Sequence, residues 1–417
     1  MSLTVTGAML DGQSLGLRAV DGVITELGPE VVPRAGDEVL DGTQRALLPG
    51  FVNGHTHAAM TLFRGYGGDL PLMEWLERMI WPAEAHLTDE DVYWGTRLAC
   101  LEMIRTGTVK FWDMYWHPAA VARAVEDSGV RATVGLPLID GLDGKTAREL
   151  RDEALRSLDE LTGHGPRVGA SLAPHGIYTV SEESLAWIAE TAANRELPVQ
   201  LHFLEIEDEV VSLWKRTGEH PGAYLERLGM LSPRTVLAHG VWMSDHDLDL
   251  VAEHGSVLVT NPVSNLKLAV GRLFPYAKVR ERGIAIGIGT DGASSNNGLD
   301  LLQDVKVLSL IQKHAQEDTT ALRADEAWAI VTGALAPMLG GSPMLSVGEP
   351  ADFLLVRLDA PELGPGHLIA NLVYAASGAV VDATVVDGRV LMRERVVAGE
   401  EEVRAKARES AERLGVV

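Results

Sequence analysis

Residues 50–57 read Gly-Phe-Val-Asn-Gly-His-Thr-His, an apolar start running into two histidines separated by one residue. As an extended strand this segment puts His55 and His57 on one face, because strand side chains alternate with a period of two. Both imidazoles can then reach a single metal ion. Alone the pattern is weak, since two surface histidines at this spacing arise by chance. The rest of the chain decides how it is read. Short apolar runs recur at 109–114, 132–139, 168–176, 198–205, 236–241, 257–265 and 284–291. Between them, 90–105, 182–193 and 245–254 carry apolar residues at three- and four-residue spacing, the helical period. Eight strands alternating with helices predict an α/β protein with a parallel, TIM-like (β/α)8 barrel.

Polar residues then fall where these strands end. One run closes on Leu201-His202-Phe203-Leu204-Glu205, another on Ala238-His239-Gly240, and the last on Gly289-Thr290-Asp291-Gly292. In a barrel the strand C-termini converge on one rim, where barrel enzymes place their sites. His55, His57, His202 and Asp291 are therefore expected to form a three-histidine, one-carboxylate centre with a position open for water. That donor set suits one divalent metal ion, Zn2+ first, with Fe2+ or another divalent metal as alternatives.

The two ends of the chain read differently. Residues 3–10 and 17–28 look like short strands around an Asp21-Gly22 turn, and 351–358 with 383–399 repeat the style around Asp387-Gly388. A small β-sandwich domain built from 1–49 plus 346–417 is expected beside a barrel of 50–345. Residues 401–414 read as an amphipathic, solvent-facing helix.

Composition narrows the class of partner. The chain has 417 residues, 43 glycines and 19 prolines spread along it, and a formal net charge of −23. Such a surface repels phosphates and anionic lipid, so nucleic acid and membranes are not expected partners and a small-molecule substrate is. Cys100 is the sole cysteine, which excludes an intrachain disulfide and a cysteine-based zinc site. The start carries no basic segment followed by a long apolar one, and a cytoplasmic protein is the plain expectation. Oligomeric state is left open, a homo-oligomer included.

GFVNGHTH, APHGIY, LHFLE, LAHG, NPVSNLKL and GTDGASSNN, taken together and in order, resemble the amidohydrolase superfamily. Within it they are most similar to 5-methylthioadenosine/S-adenosylhomocysteine deaminases and related aminohydrolases. The resemblance spans nearly the whole chain and implies a hydrolase of C–N bonds other than peptide bonds. It would deaminate the purine ring of adenosine-type nucleosides (5-methylthioadenosine, adenosine, with S-adenosylhomocysteine less favoured) to the inosine-type product and ammonia.

Residue roles follow. Glu205 is the expected proton shuttle, with a helix N-terminal acid as its ordinary alternative. Asp291 would bind the metal and accept a proton. His239 would orient the attacking water or stabilise developing charge, or else be a core histidine. The strand-four end, Ala173-Pro174-His175-Gly176, lacks the lysine that bridges two metals in cyclic-amide hydrolases of the superfamily, which favours a single metal. His175 would touch the substrate ring or cap the rim. The resemblance gives Glu84, in the Trp-rich stretch 70–86, the ribose hydroxyls, and a plain helix-surface acid is the competitor. Met73, Trp75, Leu76 and Trp81 at helical spacing read as core.

One departure bears on substrate. Family members that take S-adenosylhomocysteine present arginines after strand three, where this chain has Leu136-Pro137-Leu138-Ile139-Asp140-Gly141. Lys145 or Arg148 could substitute, yet a neutral 5′ group fits better. The alternative function is a deaminase or chlorohydrolase of another heteroaromatic ring, such as guanine, a pterin or an s-triazine, since fold and metal do not fix substrate.

Overall fold

The computed structural model describes residues 2–141, 144–341 and 344–417. It is a mixed α/β structure with parallel strands in the middle of the chain and an antiparallel-rich sheet made from both ends.

The terminal sheet contains β1 (Ser2–Leu10), β2 (Gln13–Val20), β3 (Val23–Gly28), β4 (Glu38–Asp41) and β5 (Arg45–Pro49) from the N-terminal side. β16 (Phe353–Arg357), β17 (Val381–Val386), β18 (Arg389–Arg393) and β19 (Val396–Val397) complete it. The nine strands hydrogen-bond into one sheet, not the two facing sheets of the expected sandwich. The sheet curls instead. Ile24 N–H donates to the Glu349 carbonyl at 2.9 Å and Ala351 N–H to that of Gly22 at 2.8 Å, which draws the β3 edge back to the approach to β16. Right-handed twist makes such curling available to a long sheet, and the contact covers an otherwise open edge.

Alternation in β16 serves two cores at once. Phe353 and Leu355 pack with Leu3, Val5, Leu17 and Ile24 inside the curl. Leu354 and Val356 face the large core of the central region. That is why 353–356 reads as an unbroken apolar run, with both faces buried.

The parallel strands lie in three groups. One holds β6 (Phe51–Thr56), β7 (Thr108–Met114), β8 (Arg131–Gly135) and β10 (Val168–Ala170). β9 (Pro137–Leu138) pairs with β11 (Ala173–Pro174), and β12 (Val199–Phe203), β13 (Thr235–His239), β14 (Val257–Thr260) and β15 (Ile286–Ile288) form the third group. The expected third and fourth strands are thus each split in two. Pro137 and Pro174 open or close the short pieces, and a proline cannot donate into a ladder. The groups touch at their edges: His202 N–H donates to the His175 carbonyl at 3.0 Å, and Asp291 N–H to that of His55 at 3.0 Å.

The helices at Asp89–Thr106, Glu182–Arg195 and Asp245–His254 appear where the periodicity placed them, and Glu400–Leu414 closes the chain. The expected strand 257–265 ends early, at Thr260, and Pro262–Lys267 is a helix. Pro262 at its first turn explains the switch, since its fixed φ suits a helix start and its missing N–H costs nothing there. Among the described residues no helix is long and apolar enough to cross a membrane.

Candidate active site

His55 and His57, two residues apart on β6, point into the same space as the alternation requires. His57 Nε2 stands 3.3 Å from His202 Nε2 and 3.2 Å from Asp291 Oδ1. His55 Nε2 stands 3.6 Å from the same Asp291 oxygen. The donor atoms of His55, His57 and His202 all lie within 4.8 Å of one another, and so do those of His55, His239 and Asp291.

The remaining polar atoms aim this set. His57 Nδ1–H donates to the Met114 carbonyl at 2.6 Å and His202 Nδ1–H to that of His175 at 2.7 Å. Each bond fixes the tautomer that leaves Nε2 with a bare lone pair. Ser264 and Ser295 donate to Asp291 Oδ2 at 2.6 and 2.9 Å, turning Oδ1 toward the imidazoles. Both ring nitrogens of His55 are buried without a hydrogen-bond partner among the described residues. A buried imidazole left so is costly unless something takes its lone pair. The donor set therefore fits one divalent cation, held by three neutral histidines and one carboxylate.

Electrostatics agree. Burial drives His55 down to about 4, and burial with its imidazole neighbours holds His202 well below the usual histidine value. For His57 burial pulls down, but its bond to Asp291 and the Asp291 charge outweigh it and raise the ring to about 9. Burial opposes ionisation of Asp291, yet His55 and His57 hold its carboxyl well below the carboxylate range. The proton that Asp291 draws to His57 is one a divalent cation would replace.

Glu205 is buried beside this set. Its Oε1 lies 3.7 Å from His239 Nδ1 and has no hydrogen-bond partner among the described residues. Burial first, then the Asp291 and Glu209 charges, push its carboxyl up to about 7 against the pull of His239. His239 Nδ1–H donates to Asn265 Oδ1 at 2.8 Å. His175 has its Nδ1 3.1 Å from Thr179 Oγ1, its ring 4.6 Å from that of His202, and burial pushes it down to about 3.

His57, His175, His202, Glu205, His239 and Asp291 line an inner cavity of about 70 Å³, together with Leu72, Trp75, Leu76, Trp81 and Trp116. Trp75, Leu76 and Trp81 are thus cavity wall as well as packing, which helical spacing alone did not reveal. Glu84 is half-buried, not a surface acid, and accepts from Tyr115 O–H at 2.7 Å and Trp116 N–H at 3.1 Å. Burial raises its carboxyl against those two bonds. Trp81, Glu84, Trp116 and Ile139 also border an outer chamber of about 720 Å³ that Asp89, Glu153 and Glu160 help to line. Lys145 Nζ donates to Glu153 at 3.0 Å, and Arg148, 89% exposed, lies 3.9 Å from Asp152. Neither lines either chamber.

Several site residues escaped the sequence. Ser264 and Asn265 belong to the stretch read as a strand end, and Ser295, in the loop after Asp291, acts through its hydroxyl. Asp113 is buried on β7, accepts the Ala58 N–H at 2.6 Å, and is pushed up to about 7 by burial. A lone acid inside the apolar run Phe111-Trp112-Asp113-Met114 was the signal available for it.

A buried divalent-cation site at the C-terminal ends of parallel strands, with a carboxyl near neutrality beside it, defines a metal-dependent hydrolase. The sequence model of the amidohydrolase family matches residues 46–391, and the chain belongs to that family. It is 44% identical over 401 residues to a 5′-deoxyadenosine deaminase of Methanoregula boonei, covering 94% of this chain and 90% of the relative. It is 41% identical over 396 residues to 5-methylthioadenosine/S-adenosylhomocysteine deaminase 1 of Archaeoglobus fulgidus, with 94% and 93% covered. Among solved structures it matches an adenosine deaminase from Xanthomonas campestris with bound zinc, at a TM-score of 0.92 and 31% identity, over 100% of this chain and 98% of that one.

Proposed function

We propose that the chain is a mononuclear, zinc-dependent aminohydrolase that converts the purine ring of adenosine-type nucleosides to the inosine-type ring and releases ammonia. The observation that carries this reading is the near-neutral, buried Glu205 facing His239 in the cavity that His57, His202 and Asp291 also line. The names of its relatives point to the same chemistry. We read the three parallel groups as one closed (β/α)8 barrel over 50–345, with 1–49 and 346–417 as a companion unit. The hydrogen bonds that join the groups at His202 and Asp291 support closure.

A divalent cation held by His55, His57, His202 and Asp291 would supply a Lewis acid that brings the pKa of a bound water toward neutrality. Glu205 takes a proton from the attacking water at Oε1 and returns it to the ring nitrogen. A carboxyl near pH 7 moves a proton in both directions at little cost. His239, held through Nδ1 by Asn265, orients the water by its other ring nitrogen. Asp291 accepts the second proton on its way to the departing amine. His175, kept neutral by burial, meets the ring. Trp75 and Leu76 exclude bulk water, and Glu84 accepts the ribose hydroxyls across the cavity.

Adenosine and 5-methylthioadenosine are the favoured substrates. The carboxylate of a homocysteine 5′ extension would enter a chamber bordered by Asp89, Glu153 and Glu160, with Lys145 already engaged by Glu153. The test is ammonia release from zinc-loaded enzyme with aminated nucleosides, free adenine, guanine and an s-triazine. Nucleoside turnover is expected. Turnover of guanine or the triazine with every nucleoside inert would overturn the reading.

A further inference from the structure

His202 and Glu205 are three residues apart at one strand end, a spacing that extended backbone cannot use for a common site. With a period of two, residues i and i+3 face opposite sides of a strand. Yet both side chains line the inner cavity. The alternation is broken at Leu204, whose φ of 53° lies in the left-handed region that non-glycine residues rarely occupy. Leu204 is fully buried, so solvent does nothing to hold this conformation.

What holds it is a second carboxylate. Glu209, 3% exposed, accepts the N–H groups of three consecutive residues: Leu204 at 3.0 Å, Glu205 at 2.7 Å and Ile206 at 3.4 Å. On its other side the Leu204 carbonyl accepts from Val241 N–H at 2.9 Å and Trp242 N–H at 2.8 Å. Glu209 sits in the first turn of the helix Glu207–Thr217, and an acid there ordinarily caps the helix. Capping accounts for the long bond to Ile206. The two shorter bonds reach residues that precede the helix. Glu205 Oε1 has no hydrogen-bond partner among the described residues, so no bond to that oxygen sets its direction and the backbone decides from which side the side chain departs.

We propose that Glu209 is a positioning residue for the proton shuttle: its carboxylate stabilises the left-handed turn at Leu204 that brings Glu205 to the same side of the strand end as His202. The inference rests on Glu205 being the shuttle. Glu209 itself touches no substrate.

The test is a double-mutant cycle on zinc-loaded enzyme, with Glu209→Gln, Leu204→Gly and their combination, and with Glu205→Gln as reference. Misplacing a reacting group by about 1 Å costs about 100-fold, so Glu209→Gln should lower kcat by about that much. KM and bound zinc should stay within about twofold, because neither depends on where Glu205 points. Glycine adopts positive φ freely, so Leu204→Gly added to Glu209→Gln should recover about tenfold in kcat even while it lowers thermal stability. A merely structural Glu209 gives the opposite sign, two losses that add. Wild-type kcat in Glu209→Gln overturns the proposal, as does a loss that follows zinc content or folded fraction in both Glu209→Gln and Glu209→Asp. If Glu205→Gln itself keeps full turnover, the shuttle assignment fails first. If Glu205→Gln is inactive and Glu209→Gln is not, only the present inference falls.

Discussion

The two walls of the inner cavity are built by different physics. On one wall, His57 and His202 are each tied by Nδ1 to a carbonyl of a neighbouring strand end, Met114 and His175. The β-ladder that spaces those strands therefore spaces the nitrogens. On the other wall, Leu72, Trp75, Trp81 and Glu84 come from short helical pieces between β6 and the helix Asp89–Thr106. Glu84 is held only by side chains, the Tyr115 hydroxyl and the Trp116 indole. On the first wall the direction of each Nε2 is thus set by backbone. On the second, Glu84 is set by side-chain bonds to Tyr115 and Trp116, so we expect this wall to tolerate more change, the division an enzyme needs if chemistry is to stay fixed while substrate varies.

If that division is right, damage to the first wall should abolish chemistry for every substrate, and damage to the second should sort substrates. The largest effect is expected from His55→Ala combined with His57→Ala. Elemental analysis should find the metal gone and turnover below detection. One full equivalent of tightly bound metal in that variant would mean the centre lies elsewhere.

Next comes Glu205→Gln. The amide is nearly isosteric but cannot carry a proton, and general acid–base groups contribute about 10²- to 10⁴-fold. The loss should fall in kcat, equally for all nucleosides, with metal content and Tm kept. Wild-type kcat would remove Glu205 from the mechanism.

Replacing both Ser264 and Ser295 by alanine frees Asp291 Oδ2, their shared acceptor. Outer partners of a metal ligand are worth about 10- to 100-fold in metal affinity. A competition titration against a chelator reads this directly, and unchanged affinity would show that the ladder alone orients Asp291.

Glu84→Ala should give the smallest and most selective change. With kcat/KM measured for adenosine, 5-methylthioadenosine, S-adenosylhomocysteine and free adenine, we expect nucleosides to fall by about tenfold or more and adenine to be unaffected. In the wild type the homocysteine compound should be the poorest nucleoside. A uniform loss across all four would break the comparison, because the second wall would then be serving the chemistry.

The contrast also explains what could be read from the sequence. His55 and His57 were legible because a two-residue spacing on one strand fixes a common face with no knowledge of the neighbours. His202, His239 and Asp291 were legible because each closes an apolar run, and ends of parallel strands share a rim. Glu205 was placed beside His202 in sequence, but nothing local says that Leu204 turns left-handed. The helix at Pro262–Lys267 went unseen for a related reason: the apolar run into it continued the strand pattern, and only Pro262 marked the change.

By itself, then, the sequence determined the alternation of strands and helices in the middle of the chain, the candidate metal ligands and the class of reaction, since periodicity and strand ends are properties of single segments. Tertiary structure decided the rest. It brought Ser264 and Asn265 from the helix Pro262–Lys267, and Ser295 from the loop after Asp291, onto Asp291 and His239, curled the terminal strands into one sheet, and set Glu84 and the histidines around one cavity. Those outcomes depend on distances between segments far apart in the chain, which packing sets and no local pattern encodes.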